Sequence, residues 1–240
     1  YGLVGSEMCI RDSMKTVEDA KELAENLTAV GKMAGKKTVA VITDMDEPLG
    51  NAIGNALEVK EAIKVLRGEK KGELLELCLT LGACILTEAG IAENDDAARQ
   101  MLIRGIEDGS ALNKLAQLVE GQEGDKNAVF NTDLLPAAPV QYEAICRETG
   151  YVKHISAADV GLVSMHLGGG RVTKESDIDL SVGLILNKKV GDRVEAGESL
   201  GTIHASSAEK AEQAAELLRS CYTIVPEPVE KPAFIKAIVR

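Results

Sequence analysis

The sequence predicts an α/β protein in which helices cover a parallel or mixed sheet, followed by a small β-rich α+β unit. Three observations carry this. An amphipathic helical stretch over residues 16–35 runs into a short β-branched strand at 37–43. Four more helical stretches follow between residues 56 and 120. After about Pro136 the pattern changes to short strands punctuated by Gly and Asp.

The first helix has Thr16 as its cap, with Asp19 three residues on. Ala20, Leu23, Ala24, Leu27, Val30 and Ala34 form one apolar face, and Gly31 and Gly35 mark its end. The run KTVAVIT reads as a buried strand of the parallel type. A helix followed at once by such a strand is half of a βαβ repeat, which predicts a parallel sheet. The polar loop DMDEPLGNAIGN comes next, at the strand's carboxyl end, where open α/β sheets gather ligands. Residues 56–67 read as a helix stopped by Gly68. The stretch LLELCLTLGACIL lies in a helix over 73–88 that is expected to be buried. Residues 95–108 and 110–120 form two more, separated by Gly109. Strands are expected over 150–155, 179–186, 199–205 and the flanks of Gly191 and Gly197. A helix is expected over 208–220, with Pro226, Pro228 and Pro232 setting an extended tail. A domain boundary is expected between residues 140 and 150.

Composition excludes several function classes. The 240 residues carry 27 Lys and Arg against 38 Asp and Glu, a net charge of −11. That excess of acid argues against a nucleic-acid binder, which needs a basic face. It argues equally against charge-driven attachment to an anionic membrane. No apolar run reaches the ~18 residues of a spanning helix. Aromatics are 2% with no Trp, so base-stacking platforms are not expected. Five scattered Cys without a CxxC point away from zinc sites and disulfide frameworks and toward a reducing, cytoplasmic setting. Cys78 and Cys84 read as small core residues. The three His are too far apart in sequence to suggest a metal site. Residues 1–13 (YGLVGSEMCIRDS) have no periodicity and read as a translated sequencing adapter fused to a partial reading frame. The native sequence is then expected to begin near Met14, an internal methionine.

The loop after the first strand carries the clearest chemistry. Its Pro and Gly residues favour turns that leave backbone carbonyls pointing inward, and Glu58 and Glu61 lie on the helix that follows. Carbonyls plus one carboxylate suit a hard cation, and the low formal charge favours a monovalent one. The alternative is an ordinary loop with solvated acids. The pairs Asp44/Asp46 and Asp177/Asp179 could serve as acid–base dyads. The first is better explained by the loop, the second by the entry to a strand. Gly168-Gly169-Gly170-Arg171 could cradle an anion, but no clear helix N-terminus follows it, which favours a tight turn.

The segments AVITDMDEPLGNAIGNALEVKEAIKVLRG, ELLELCLTLGACIL, GYVKHISAADVG, LGGGRVTKESDIDLSVGLIL and KKVGDRVEAGESLGTIHA occur in this order. Together they resemble the bacterial pyrimidine-nucleoside phosphorylases from Met14 to the C-terminus. The resemblance implies reversible phosphorolysis of pyrimidine (deoxy)nucleosides to free base and (deoxy)ribose 1-phosphate, in pyrimidine salvage. The implied enzyme is a homodimer, and its substrates are a pyrimidine nucleoside and phosphate. Residues 1–13 would be an artefactual leader and 14–140 the C-terminal part of a truncated α/β domain. Residues 141–149 would be a linker and 150–240 the C-terminal α+β domain. By the same resemblance Leu49 and Ala52 offer main-chain oxygens and Glu61 a carboxylate to a potassium ion. The family's other potassium ligands lie in a phosphate-loop region that this chain lacks. Its Lys-His-Ser phosphate motif does not occur in the sequence, and its base-binding residues precede the region present. No catalytic, phosphate-binding or substrate-binding residue can therefore be carried over, and the chain alone is expected to be inert.

Three alternatives accompany this reading. A thymidine-specific phosphorylase belongs to the same family. The anthranilate phosphoribosyltransferase group shares the first two domains but lacks the third, so residues 150–225 argue against it. Residues 188–198 resemble the GDxVxxGExL turn of biotinyl and lipoyl carriers, which implies a barrel-sandwich-like C-terminal domain and a non-catalytic module as a further alternative. A carrier lysine needs a protruding tip flanked by Met or Ala. Here Asn187 and Val190 flank Lys188 and Lys189.

Overall fold

A computed structural model describes residues 14, 16–171 and 173–240. The expected leader, 1–13, lies outside the described residues. The chain divides into two units whose segments interleave.

The first unit takes the chain up to Met45, then Lys71–Asp108 and Pro232–Arg240. Its first helix, α1, spans Val17–Met33, and the Thr16 hydroxyl accepts the Asp19 N–H as its cap. Strand β1, Ala40–Thr43, pairs with the last strand of the chain, β9, Ile235–Val239. The pairing is antiparallel, with Ala40 opposite Val239 and a bulge between Ile42 and Thr43. This corrects the parallel expectation. A β-branched run specifies a strand, whereas its direction depends on which distant segment reaches it. Helices α3 (Glu73–Glu88) and α4 (Asp95–Glu107) pack on each other. Of α3 only Leu79, Ala83 and Cys84 are buried, and Cys78 is exposed. The buried-helix expectation is corrected accordingly. Arg240 ties the pair together, donating to Glu88 at 3.0 Å and to the Asp95 carboxylate. Lys236 pairs with Asp44 at 2.7 Å.

The second unit takes Asp46–Lys70 and Gly109–Lys231. It begins with β2 (Ala52–Ile53) and α2 (Asn55–Leu66). After α5 (Ser110–Gly121) and a short α6 (Asn127–Phe130) come β3 (Val140–Ile145), β4 (Gly150–Ile155) and α7 (Ala157–Ser164). The chain continues through β5 (Gly183–Leu186), β6 (Arg193–Val194), β7 (Ser199–Ala205), α8 (Ala208–Ser220) and β8 (Tyr222–Val225). One sheet has the order β2-β5-β7-β3 and the other β6-β4-β8. Every pairing in both is antiparallel. Residues 140–145, expected partly as linker, form an edge strand of the first sheet, because Val140 and Ala144 bury against β7. The strand expected over 179–186 begins only at Gly183.

Both sheets contribute to one apolar core. Leu184, Leu186, Leu200 and Ile203 come from the first, and Val152, Ile155, Val194 and Tyr222 from the second. Helix α8 closes it with Ala211, Ala214, Ala215 and Leu218, a spacing that puts all four on one face. Gly201 makes room for this helix: a Cβ there would lie 2.8 Å from the Ile185 carbonyl and 3.0 Å from Leu218 Cδ2. Leu218 is fully buried and its neighbour Leu217 is 44% exposed. Truncating Leu218 to Ala is expected to cost about 2–5 kcal/mol by leaving a cavity. Leu217→Ala is expected to stay within about 0.5 kcal/mol. Urea melts of the two variants, compared by midpoint, check this.

Candidate functional site

Helix α2 presents apolar residues to its unit, and Ile63, Val65 and Leu57 are buried on it. Glu61 lies among them and is only 6% exposed. A carboxylate in that position needs compensating donors, because burial of an isolated charge is costly. The preceding loop supplies them. Asn51 N–H donates to Glu61 Oε1 at 2.9 Å and Ala52 N–H to Oε2 at 3.1 Å. The Lys70 ammonium, just beyond the helix, pairs with Oε1 and donates to Asn51 Oδ1 at 2.9 Å. Asn51 in turn accepts from Leu186 N–H through its carbonyl at 2.7 Å and donates its side-chain amide to Leu186 O at 2.8 Å. The loop is thus fastened to α2 on one side and to β5 on the other.

This arrangement fixes the three residues singled out in the sequence. Ala52 faces Ile185 in the ladder but gives its N–H to Glu61. In an antiparallel pair a residue's N–H and C=O face the same way, so the Ala52 carbonyl also lies on the edge turned from β5. Gly50, at φ +73°, comes so close to Glu61 that a Cβ would lie 2.5 Å from Oε2. Only glycine lets the loop pass this close to the carboxylate. Leu49, 40% exposed, lies between Pro48 and Gly50. Carbonyls of both those neighbours accept hydrogen bonds from the Lys189 ammonium, Gly50 O at 3.0 Å.

Lys189 is 12% exposed and also lies 3.6 Å from the Glu47 carboxylate, itself 9% exposed. Glu47 accepts Val190 N–H at 2.9 Å. Sequence reading weighed Lys189 as a carrier lysine and did not single out Lys70. The signal was partial: a Glu on the apolar face of a helix calls for a cation, but Arg67, Lys70 and Lys71 all lie past the helix end and spacing does not choose among them. Lys188 is equally engaged, donating to Arg193 O at 3.0 Å and to Glu198 at 2.9 Å. Neither lysine has the protruding geometry that a carrier attachment needs.

The remaining candidates resolve into structural roles. Asp177 is exposed, and Asp179 accepts from the Ser181 hydroxyl at 2.6 Å and the Ser181 N–H at 2.9 Å. These bonds hold the Asp179 carboxyl below its ordinary value. The glycine run forms a wide turn over Met165–Gly169, with Gly168 at φ +108°. Its carbonyls are the groups in use: Gly168 O accepts from Asp179 N–H and Gly169 O from the Asn55 amide, both at 2.9 Å. A cleft of about 210 Å³ lies between this turn and the start of α2, lined by Asn55, Glu58, Ser164 and Met165 among others. Glu58 reaches back to Gly54 N–H at 3.0 Å, so the helix start already has its own anion. Among the described residues no three His, Cys, Asp or Glu gather into a metal cluster.

Comparison with known proteins follows the same order along the chain. The description "Glycosyl transferase family, a/b domain" matches residues 6–112, and "Pyrimidine nucleoside phosphorylase C-terminal domain" matches residues 151–225. A pyrimidine-nucleoside phosphorylase of Staphylococcus aureus strain bovine RF122 / ET3-1 is 45% identical over 226 residues, which is 94% of this chain and 52% of that protein. One of strain MSSA476 is 45% identical over 227 residues, 95% of this chain and 52% of that protein. Over 94% of its length the chain is similar to pyrimidine-nucleoside phosphorylases. It spans about half the length of the curated relatives it matches. The phosphorylase C-terminal match runs from β4 through β8. The Glu61 loop falls inside the other match, yet packs in the same unit as those strands.

Two outcomes follow from these contacts. Glu61→Gln replaces one accepting oxygen by a donor facing an N–H and removes the Lys70 pair. It is expected to cost about 1–3 kcal/mol in a urea melt. Because the Asp179 carboxyl is held below its ordinary ~3.9, its contribution to stability is present above about pH 4 and fades as the pH falls through the lowered value. Asp179→Asn is therefore expected to lower the melting temperature near neutrality and to converge with the native chain on acidification below that pH, so that its pH dependence there is flatter.

Proposed function

We propose that this chain supplies the cation loop and the C-terminal domain of an enzyme that splits pyrimidine nucleosides with phosphate. The complete enzyme would release free base and (deoxy)ribose 1-phosphate and act as a homodimer in the cytoplasm. The supporting observation is the pair of family matches in sequence order together with 45% identity across 94% of the chain. In the structure no helix among the described residues is long and apolar enough to cross a membrane.

Within that reading, Leu49, Ala52 and Glu61 hold a potassium ion. The donor chemistry fits: a single buried carboxylate and an edge-facing carbonyl at Ala52 suit a hard, singly charged cation. A bound potassium ion would supply positive charge and fixed geometry next to the loop. The residues of this chain do the positioning: Glu61 and Asn51 hold the loop to α2 and β5, and Lys189 holds its Pro48–Gly50 arm. Attack of phosphate at an anomeric carbon needs donors and a cation around the phosphate, to balance the charge of an oxocarbenium-like centre. The sequence contains no Lys-His-Ser. These 240 residues alone are therefore expected to release no uracil or thymine from uridine, deoxyuridine or thymidine when supplied with phosphate. Chromatographic detection of steady base release, dependent on phosphate or arsenate, would overturn the reading.

A further inference from the structure

The loop from Glu47 to Ala52 is served by ammonium groups of the chain itself: Lys231 at the Glu47 end, 4.0 Å from its carboxylate, and Lys189 and Lys70 along the loop. Lys189 takes carbonyl oxygens and Glu47. Lys70 takes Asn51 Oδ1 and Glu61 Oε1. Their settings differ. Lys189 is 12% exposed and lies against two acceptors from the main chain and a carboxylate. Lys70 is 30% exposed and lies four residues past the end of α2, on the turn 67–70. A side chain with that exposure can swing off its carboxylate into solvent at modest cost. Glu61 cannot move in the same way, being buried and anchored by two loop N–H groups.

We infer that the Lys70 ammonium is a built-in competitor for the monovalent cation at Glu61, so that this lysine sets how strongly the chain binds potassium. The inference rests on the reading of Leu49, Ala52 and Glu61 as the cation site. Its logic is charge balance. Glu61 carries one negative charge, its Oε1 already accepts from Asn51 N–H and Lys70, and its Oε2 accepts only from Ala52 N–H among the contacts the structure gives it. With the ammonium in place, the carboxylate is neutralised, and a second cation at Oε2 meets a like charge a few ångströms away. With the ammonium swung out, the same oxygens offer a full negative charge. Apparent affinity then scales with the fraction of molecules in which Lys70 is off. An ammonium seated in about nine molecules of ten weakens potassium binding about tenfold.

The test uses the full 240-residue chain and potassium chloride substituted for tetramethylammonium chloride at constant ionic strength, read as melting temperature and by calorimetric titration. Lys70→Met and Lys70→Gln remove the charge, and Lys70→Arg keeps it. The expected result is potassium binding about tenfold tighter in both neutral variants than in the native chain, with Lys70→Arg close to native. Equal potassium dependence in the native chain and both neutral variants overturns the competitor and leaves the cation-site reading standing. Absence of any potassium-specific effect in all four proteins overturns the cation-site reading, and the competitor with it. If Lys70→Met does not fold, the Lys70→Gln comparison decides between these outcomes.

Discussion

A buried carboxylate organises the loop between β1 and α2. Glu61 is on the apolar face of α2, and its desolvation must be offset locally or the helix cannot dock. The donors it recruits are two consecutive loop N–H groups and one ammonium. Recruiting Asn51 and Ala52 shapes the chain between Pro48 and Ile53. The loop must turn tightly enough to aim both N–H groups at one carboxylate, which requires the left-handed backbone and missing side chain of Gly50. Once the loop is shaped, Asn51 is placed to bond both the N–H and the carbonyl of Leu186, which sets the register of β2 on β5. A single charge on a helix thereby propagates into the edge of a sheet.

A second ionic cluster explains why the units cut across the order of the sequence. Glu47 and the carbonyls of Pro48 and Gly50 meet Lys189, and Glu47 also accepts the N–H of Val190. These contacts span about 140 residues of chain within one unit. They explain why Asp46–Lys70 belongs with the β-rich segment rather than with the helices next to it in sequence. The Tyr222 hydroxyl donates to Lys188 O at 2.9 Å from the core side of the same turn. Burial, followed by the nearby Glu47 charge, pushes that phenol far above its ordinary value and keeps it a neutral donor. The turn that looks like a carrier tip is held from below by a tyrosine and from the side by an acidic loop.

Local order was legible in the sequence and long-range order was not. Periodicity and capping locate α1, and the segments 73–88, 150–155, 199–205 and 208–220 coincide with α3, β4, β7 and α8. These boundaries rest on interactions within a few residues: the Thr16 cap, the four-residue apolar repeat of α8, the alternation along a strand. The direction of β1 does not rest on such interactions. Its partner lies nearly two hundred residues on, and nothing in VAVIT distinguishes a parallel neighbour from an antiparallel one. The burial of α3 failed for a related reason. Apolar content records what a helix could cover, whereas the structure leaves Cys78 exposed and buries chiefly Leu79, Ala83 and Cys84. At the site, Glu61 and Ala52 were legible through the family resemblance, and the structure joins them by a hydrogen bond. Lys70 was invisible because its role depends on a swing back over the end of α2, which spacing alone does not convey.

The two lysines differ in a way that bears on how the loop can work. Lys189 supplies a charge where the main chain offers only dipoles, and carbonyl oxygens bind an ammonium without being neutralised by it. Removing it would leave the Glu47 carboxylate, 9% exposed, without its nearest cation in the interior, so this lysine is structural in the strict sense. Lys70 faces the opposite balance. Its carboxylate partner retains two N–H donors when it leaves, and the ammonium regains water. A tethered ammonium enjoys a millimolar effective concentration, about what short flexible tethers confer. In the proposed site a free monovalent ion would have to outcompete that, but would need no side chain to be ordered when it binds. Two like charges about 4 Å apart repel by about 4 kcal/mol at an effective dielectric near 20, enough to make the two occupants nearly exclusive. On the proposed cation reading the loop would keep one shape under either cation, because the N–H groups that shape it belong to neither.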